Sequence, residues 1–184
     1  MNAKHVLVTG ASGTVGREVV KLLADDSDFR ITVFDVANYR SEPFFNSFGE
    51  RIQFIPGDIS HTGDVSKIPA DLDAVIHLAA IIPPLADENP ELARKVNIEG
   101  TRLLVNHVEK TSPNAFFLYS SSVSVYGDRV NNPEIRVTDD LKVSEGDEYG
   151  QTKLDAEAII QSSHLSWSIF RLAAIMGNHK ISRL

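Results

Sequence analysis

Tyr149 and Lys153 are four residues apart in one short segment of the chain. On a helix, this spacing puts the phenol and the ammonium on the same side. The phenol of a free tyrosine has a pKa of about 10, and a neighbouring ammonium lowers that pKa because it stabilises the phenolate. Such a pair could move a proton to or from a substrate oxygen while a cofactor carries a hydride. The same spacing also occurs on helices without a catalytic role, so the surrounding elements decide its meaning.

Three consecutive serines, Ser120, Ser121 and Ser122, follow an apolar run at residues 116–119 that predicts a strand. Ligands of open α/β sheets bind at the carboxyl ends of the strands. A serine hydroxyl at this place could therefore hydrogen-bond the reacting oxygen and share its proton with Tyr149. Serines also cap strand ends in turns, and at least one of the three is expected to do only that.

Three glycines are spaced three apart between an apolar run at residues 6–9 and a helical pattern at residues 14–24. Such a strand-to-helix junction needs small residues, because the turn is tight, the backbone approaches a pyrophosphate and the helix packs closely on the sheet. The amides that open the helix, at the positive end of its dipole, would bind the phosphates. The alternative is a turn that serves close packing alone. We expect a dinucleotide to contact Gly10, Ser12, Gly13, Thr14, Val15 and Gly16.

Asp35 ends the second predicted strand, 19 residues after Gly16. A carboxylate at this place accepts hydrogen bonds from the 2′-hydroxyl of an adenosine ribose and repels a 2′-phosphate, so it favours NAD over NADP. Arg40 is close in the sequence and could weaken that preference. The alternative for Asp35 is an acid that is simply solvated at the end of a strand.

Two further segments follow predicted strands. Asp58 and Ile59 could hold the edge and the face of the adenine, although the same composition is common in loops. His77 is interpreted as a buried histidine with satisfied hydrogen bonds, since the sequence offers no convincing set of metal ligands around it. The residues after it would let a cofactor lie against the end of the sheet: Leu78, Ala79 and Ala80.

The composition limits the classes of function. A chain of 184 residues suits one domain, and the absence of cysteine excludes disulfides, zinc thiolate sites and a cysteine nucleophile. A net charge of −7 gives no general attraction to nucleic acid or to anionic membranes. No apolar run approaches the length of a membrane span. We expect a cytoplasmic protein that binds a small molecule rather than nucleic acid or a membrane.

Apolar runs alternate with helical patterns, which is typical of βαβ units and a parallel sheet. Strands are predicted at residues 6–9, 31–34, 52–55, 74–78, 116–119 and 167–172, and helices at 14–24, 90–108 and 149–161. Asn89 suits the N-cap of the second helix, and Pro90 its first position. Right-handed crossovers then give a doubly wound, Rossmann-like sheet in three αβα layers. The pattern at residues 38–49 does not distinguish helix from strand or loop. The long polar stretch at residues 126–148 predicts a loop that faces the substrate.

In this order, the segments resemble the extended short-chain dehydrogenase/reductase family of the NAD-dependent epimerase/dehydratase type. The glycine turn matches that family's T-G-x-x-G-x-x-G fingerprint. The resemblance extends over residues 6–177 and depends on residues 9–16, 58–59, 77–80, 97–101, 120–127, 149–153 and 170–172. It implies NAD as the cofactor and a possible homodimer that pairs through the long helices after the fourth and fifth strands.

The resemblance also implies roles for four residues. Ser122 would be the catalytic serine, Tyr149 the acid and base, and Lys153 its partner. Asn97 matches the asparagine of the family's central helix, which supports the active site from behind.

Three departures from the family pattern limit the expected function. Dehydratases carry a threonine followed by Asp-Glu where this chain has Ser122-Val123-Ser124, so dehydration is not expected. Many sugar-nucleotide enzymes carry an asparagine where this chain has Ala174, which weakens the expectation of a sugar-phosphate contact. Family members continue into a smaller substrate lobe, which a chain that stops at Leu184 would largely lack.

Three functions follow as hypotheses. The first is an NAD-dependent epimerase or dehydrogenase that moves a hydride between the nicotinamide and a carbinol carbon of a nucleotide sugar. The second is a dehydrogenase or reductase of a hydroxysteroid-like or other apolar alcohol, for which residues 81–84 (Ile-Ile-Pro-Pro) would supply an apolar wall. The third is an NAD-binding sensor or interaction module without turnover.

Overall fold

The computed structural model describes residues 3–39, 41–131 and 133–175. Six strands lie within these ranges: β1 (Lys4–Thr9), β2 (Phe29–Asp35), β3 (Ile52–Pro56), β4 (Ala74–His77), β5 (Phe116–Ser122) and β6 (Ser166–Leu172). They form one sheet in the order β3-β2-β1-β4-β5-β6, and every neighbouring pair is parallel. The chain changes direction across the sheet between β1 and β4, and ligands of such sheets bind at the carboxyl edge near that point.

Seven α-helices connect or flank the strands in the described ranges. They are α1 (Thr14–Ala24), α2 (Ser41–Asn46), α3 (Thr62–Val65), α4 (Leu85–Glu88), α5 (Pro90–Arg94), α6 (Thr101–Thr111) and α7 (Glu148–Gln161). A π-helical segment, Lys95–Gly100, joins α5 to α6 without a break, and we call the whole run from Pro90 to Thr111 the central helix. Short 3₁₀ turns occur at Gly49–Arg51 and Val123–Tyr126.

The sheet is buried on both faces, as its nearly continuous apolar strands predict. Val6 and Val8 of β1 belong to one buried cluster together with Val20 of α1. Leu7, between them, points to the other face and belongs to a second cluster, which includes Leu104 of the central helix. This alternation along one strand confirms the doubly wound, three-layer architecture.

The central helix shows the largest difference from its prediction. Its start is confirmed, since the Asn89 side chain accepts a hydrogen bond from the amide of Leu92 at 3.0 Å and Pro90 occupies the first turn. The predicted uniform helix over residues 90–108 instead contains the π-helical segment. Such segments bulge by one residue and occur often at functional sites. The apolar spacing did not predict it, because one extra residue in a turn leaves the sequence pattern almost unchanged.

Irregular stretches of the sequence contain short helices. The ambiguous residues 38–49 hold α2, whose Phe45 is buried against the Phe54 ring with ring centroids 4.6 Å apart. Helices α3 and α4 have four residues each, too few to produce a recognisable period. Residues 127–131 and 133–147 form no helix or strand, which agrees with the predicted loop. Among the described helices, none is long and apolar enough to cross a membrane.

Candidate active site

A cavity of about 910 Å³ opens at the carboxyl edge of the sheet. Its lining includes parts of the glycine turn, the ends of β2, β4 and β5, and the first turns of α7. The structure brings together the residues predicted to bind the cofactor and to transfer the proton, with the exception of Asn97. The residues so brought together are Gly10, Ser12, Gly13, Thr14, Val15, Gly16, Asp35, Asp58, Ile59, Leu78, Ala79, Ala80, Ser122, Tyr149 and Lys153.

The first glycine of the turn is fixed by its backbone conformation and by its neighbours. Gly10 has a φ of +64°, in the left-handed region that side chains rarely adopt. A Cβ at this position would lie 2.5 Å from the amide nitrogen of Ala79 and 2.7 Å from the carbonyl carbon of Leu78. The turn after β1 therefore packs directly on the backbone that follows β4, and only glycine allows this approach.

The other two glycines have different surroundings. A Cβ on Gly16 would lie 2.3 Å from the Gly10 carbonyl oxygen, so this glycine allows α1 to pack on the turn. A Cβ on Gly13 would meet only that oxygen, at 3.3 Å. Gly13 is the N-cap of α1 and supplies no side-chain oxygen to the first amides of the helix, and the first turn of α1 contains no acidic residue. An uncapped helix start that faces a cavity fits the diphosphate of a dinucleotide.

Asp35 lies where the ribose contact was predicted. Its Oδ2 accepts a hydrogen bond from the amide of Ser12 at 2.7 Å, and its Oδ1 accepts one from the amide of Val36 at 2.8 Å. A carboxylate has about four lone-pair sites, so acceptor positions are left for ribose hydroxyls. Arg40, which could weaken the preference for NAD, lies outside the described residues.

Asp58 and Ile59 lie at the same end of the cavity as Asp35. Burial acts to raise the pKa of Asp58, but hydrogen bonds to its Oδ1 from the amide and hydroxyl of Ser60 prevail and lower it. Asp58 is thus an ionised acceptor held in place by its own loop. Ile59 is buried, with 5% of its surface exposed, and supplies an apolar face beside it.

His77 is confirmed as a buried histidine with satisfied hydrogen bonds. Its Nδ1 lies 2.7 Å from the Thr9 hydroxyl and its Nε2 lies 2.9 Å from the Thr101 hydroxyl. Burial, with the nearby charge of Lys153, lowers its pKa to about 3. The residues described here include no cluster of three or more side chains suited to a metal ion. His77 joins β1, β4 and the central helix behind the cavity.

Mild acid is expected to destabilise the fold through its buried histidines. The pKa of His77 is about 3 in the folded protein and about 6.5 when exposed, so the unfolded chain binds more protons between these values. Burial and Arg30 also lower the pKa of His5. Stability therefore falls as the pH decreases below about 6.5, by up to about 1.4 kcal/mol per pH unit from His77, and His5 acts in the same direction.

Urea denaturation at closely spaced pH values measures this slope. The window from about pH 6.5 to 4.5 separates the histidines from carboxyl groups, which protonate in the unfolded chain nearer pH 4. The His77→Gln variant is expected to show a clearly smaller slope in this window. An unchanged slope would show that His77 does not set the acid sensitivity.

Tyr149 lies in the first turn of α7 and faces Ser122 at the end of β5. The helix start is defined by Asp147, whose side chain accepts a hydrogen bond from the Gly150 amide at 2.7 Å. Burial and the negative charge of Asp147 raise the pKa of Tyr149, and its hydrogen bond with Ser122 acts in the opposite direction. The Ser122 hydroxyl also lies 2.7 Å from that of Ser124 and accepts from the Ser124 amide, which caps the following turn.

Lys153 is almost fully buried, with 2% of its surface exposed. Its Nζ donates to the carbonyl oxygen of Ser120 at 2.8 Å and lies 5.8 Å from the centre of the Tyr149 ring. Burial lowers its pKa to about 7, and the charge of Glu157 acts against this. The sequence predicts a lowered pKa for Tyr149, whereas its burial and the charge of Asp147 raise that pKa.

Asn97 lies behind the cavity wall, in the π-helical segment, and is 1% exposed. Its Oδ1 accepts from the Ile81 amide at 2.7 Å, and its Nδ2 donates to the Ile81 carbonyl and to the Thr152 hydroxyl, both at 2.9 Å. The Thr152 hydroxyl in turn donates to the carbonyl oxygen of Tyr149 at 2.8 Å. This geometry suits the predicted support from behind, and makes Asn97 a positioning residue rather than one that faces the cavity.

Several polar residues that hold the site together were not predicted from the sequence. Thr152 and Asp147 fix α7, and Glu157 accepts hydrogen bonds from both β5 and β6. A signal for Glu157 was present, since an acid four residues after Lys153 lies on the same side of the helix. Its partners, which belong to distant strands, have no local signature.

A sequence profile of the NAD dependent epimerase/dehydratase family matches residues 6–183. The chain is similar to proteins named for three different reactions. D-erythronate dehydrogenase of Haemophilus influenzae is 27% identical over 159 residues, which cover 84% of this chain and 48% of that protein. The dTDP-glucose 4,6-dehydratase of Mycolicibacterium smegmatis is 30% identical over 171 residues, which cover 90% of this chain and 50% of that protein.

A solved epimerase structure has the same fold. The UDP-N-acetylglucosamine 4-epimerase from Methanobrevibacter ruminantium M1, in complex with UDP-N-acetylmuramic acid, superposes with a TM-score of 0.78 at 26% identity and covers 93% of this chain and 55% of that one. The chain spans about half the length of the curated relatives it matches. With a profile match over nearly all of its residues and a glycine turn and Ser-Tyr-Lys group on one cavity, the chain belongs to the NAD dependent epimerase/dehydratase family.

Proposed function

We propose that this chain forms the part of an NAD-dependent epimerase or dehydrogenase that binds NAD and transfers a proton to or from a carbinol of a nucleotide sugar. The observation that carries the proposal is one continuous cavity. The uncapped start of α1 and Asp35 line it, and Ser122, Tyr149 and Lys153 line it too. A dinucleotide needs both: a place for its diphosphate and ribose, and a proton donor and acceptor beside its reactive ring.

The residues present fit NAD by two tests. Gly13 carries no side chain that would fill the space in front of the amides of α1, and Asp35 keeps free acceptor sites beside the turn. When bound, NAD supplies the acceptor of the hydride. Tyr149 takes the proton of the substrate hydroxyl in oxidation and returns it in reduction. Ser122 donates to the same oxygen, and Lys153 adds positive charge beside the phenol.

The substrate class is supported by the relatives and by the residues near Ser122. Two of the three similar proteins carry a nucleotide sugar in their names. Dehydration needs a further acid and base beside the serine, and this chain has Val123 and Ser124 there, with the Ser124 hydroxyl bonded to Ser122. We therefore propose epimerisation or simple oxidation rather than dehydration.

A second candidate, an apolar alcohol, is favoured by one wall of the cavity. Ile81, Ile82 and Pro83 line it after β4, and Ile82 is 58% exposed. Ala174 and Ile175 line it after β6, where an asparagine would have served a sugar phosphate. Apolar side chains at the opening of the cavity favour a substrate whose carbon skeleton is largely apolar.

Calorimetry with NAD, followed by a turnover screen, tests these candidates. The screen contains nucleotide sugars, sugar acids and apolar secondary alcohols, with detection of NADH and of epimers. Turnover of a nucleotide sugar supports the proposal, and turnover restricted to apolar alcohols supports the second candidate. NAD affinity without any product would indicate a sensor or interaction module, and the absence of NAD affinity would remove all three.

The Asp35→Asn variant tests the preference for NAD. The amide oxygen can still accept from Ser12, so the turn is retained, but the charge that repels a 2′-phosphate is lost. We expect the ratio of the NADP and NAD dissociation constants to fall by about tenfold or more, which corresponds to ~1.4 kcal/mol. Titration calorimetry with both dinucleotides measures it. An unchanged ratio would show that Asp35 does not discriminate.

A further inference from the structure

Glu157 is a buried carboxylate at the back of the proton-transfer site. It is 1% exposed and lies on α7, one helical turn after Lys153 and two after Tyr149. Its Oε1 accepts from the Ser121 hydroxyl of β5 at 2.5 Å. Two carboxylate–guanidinium hydrogen bonds, at 3.0 and 2.7 Å, connect it to Arg171 of β6. One side chain therefore joins the helix that carries Tyr149 to two strands.

Arg171 is the counter-ion that makes this burial tolerable. A buried carboxylate without a cation costs several kcal/mol, whereas a bidentate arginine compensates much of that cost. Arg171 lies opposite Ser121 in the pairing of β5 and β6, so the sheet itself sets its position. Its Nη1 also donates to the Tyr126 hydroxyl at 2.5 Å, and these contacts raise the pKa of the guanidinium.

Lys153 has no anionic partner in direct contact among the residues described. Its Nζ donates to the Ser120 carbonyl, one residue before the serine that bonds Glu157. The groups that face it are the Tyr149 ring on its own helix, the Tyr119 ring of β5, neutral His77 of β4, and Glu157. Of these groups, only Glu157 carries a negative charge at neutral pH. That charge therefore favours the ammonium over the neutral amine.

We propose that Glu157, held in place by Arg171, is a positioning residue of the proton-transfer site, which fixes α7 against the end of β5 and places a carboxylate one helical turn from Lys153, where it favours the ammonium form of that lysine. The importance of this arrangement for catalysis rests on the proposed function. The effect of Glu157 on Lys153 does not depend on that function, because the charge of Lys153 can be measured without turnover.

The test is an NMR titration of the lysine side chains in protein labelled with ¹³C-lysine. Lys153 is identified by the loss of its signal in a Lys153→Met variant. We expect its midpoint in the wild type near pH 7, and a midpoint about one pH unit lower in Glu157→Gln. Asp155→Asn removes the same charge from the same helix on its more exposed side, and is expected to leave the midpoint unchanged.

A double variant, Glu157→Gln with Arg171→Gln, separates the proposal from a purely structural role. It removes the Arg171 guanidinium together with its carboxylate partner, so it carries the test if Glu157→Gln alone does not fold. If Glu157 serves only to neutralise Arg171, the double variant returns to the wild-type midpoint. The proposal requires that the midpoint stay low.

Failure of this inference is distinguishable from failure of the proposed function. NAD affinity in the wild type together with an unchanged Lys153 midpoint in both variants would overturn the inference and leave the proposed function in place. A lowered Lys153 midpoint in Glu157→Gln, found while the wild type shows no affinity for NAD, would support the inference and remove the proposed function.

Discussion

Replacement of Tyr149 with phenylalanine is expected to reduce turnover by about 10²- to 10⁴-fold, the usual contribution of a general acid and base. The phenyl ring keeps its place beside Lys153, so only the hydroxyl and its hydrogen bond with Ser122 are lost. Affinity for NAD should stay close to that of the wild type, because the contacts of the diphosphate and adenosine lie at the glycine turn and Asp35. The measurements are kcat on the best substrate of the screen and calorimetry with NAD.

Tyr39→Phe is the matched control for this experiment. It removes the same hydroxyl from a tyrosine that is 78% exposed and does not line the cavity. Its turnover is expected to equal that of the wild type. Turnover of Tyr149→Phe within about threefold of the wild type would exclude Tyr149 from the proton transfer, since general acid–base catalysis contributes at least 10²-fold.

Replacement of Gly10 with alanine is expected to destabilise the protein and to abolish NAD binding together. The positive φ alone costs of order 1–3 kcal/mol for a residue with a side chain. The added Cβ would also meet the Ala79 amide nitrogen at 2.5 Å, so the turn after β1 must separate from the backbone that follows β4. Both segments line the cavity, and their separation disrupts the place for the diphosphate. Urea denaturation and calorimetry with NAD measure the two effects.

Two other glycines give the controls for Gly10→Ala. Gly63→Ala, at a position with nothing within 4 Å of the added Cβ, is expected to leave both stability and NAD affinity unchanged. Gly13→Ala meets only the Gly10 carbonyl, at 3.3 Å, so it should keep most of the stability but weaken NAD binding. Wild-type stability in Gly10→Ala would show that the turn can move away from β4 without cost.

The parts of the fold that could be predicted are those with a local cause. The bounds of α1 were predicted to the residue, because a glycine turn precedes it and its apolar positions have a clear period. The strands were recognisable as apolar runs, since a parallel sheet covered on both faces needs them. The π-helical segment and helices α3 and α4 were not, because they depend on contacts across the fold or are too short to show a period.

The residues of the candidate site also divide into those with a local signal in the sequence and those that depend on distant contacts. Residues that are expected to contact a cofactor through backbone shape, such as Gly10, or through a position at a strand end, such as Asp35, were named from the sequence. The burial of Tyr149 and Lys153 could not be predicted, because it depends on elements far away in the chain, and burial is the largest cause of both pKa shifts. The partners of Glu157 became visible only when β5 and β6 were seen side by side.

The two hydrogen bonds between Asn97 and the Ile81 backbone have a consequence for how substrate specificity can change. The Asn97 side chain bonds both the Ile81 backbone after β4 and Thr152 of α7, the helix that carries Tyr149. Ile82 and Leu85 lie just past Ile81, with 58% and 44% of their surfaces exposed. Of these two residues, Ile82 lines the cavity, so substitutions of Ile82 are expected to change which substrates enter while Tyr149 keeps its place. A library of variants confined to Ile82 could therefore select new substrates without altering the group that transfers the proton.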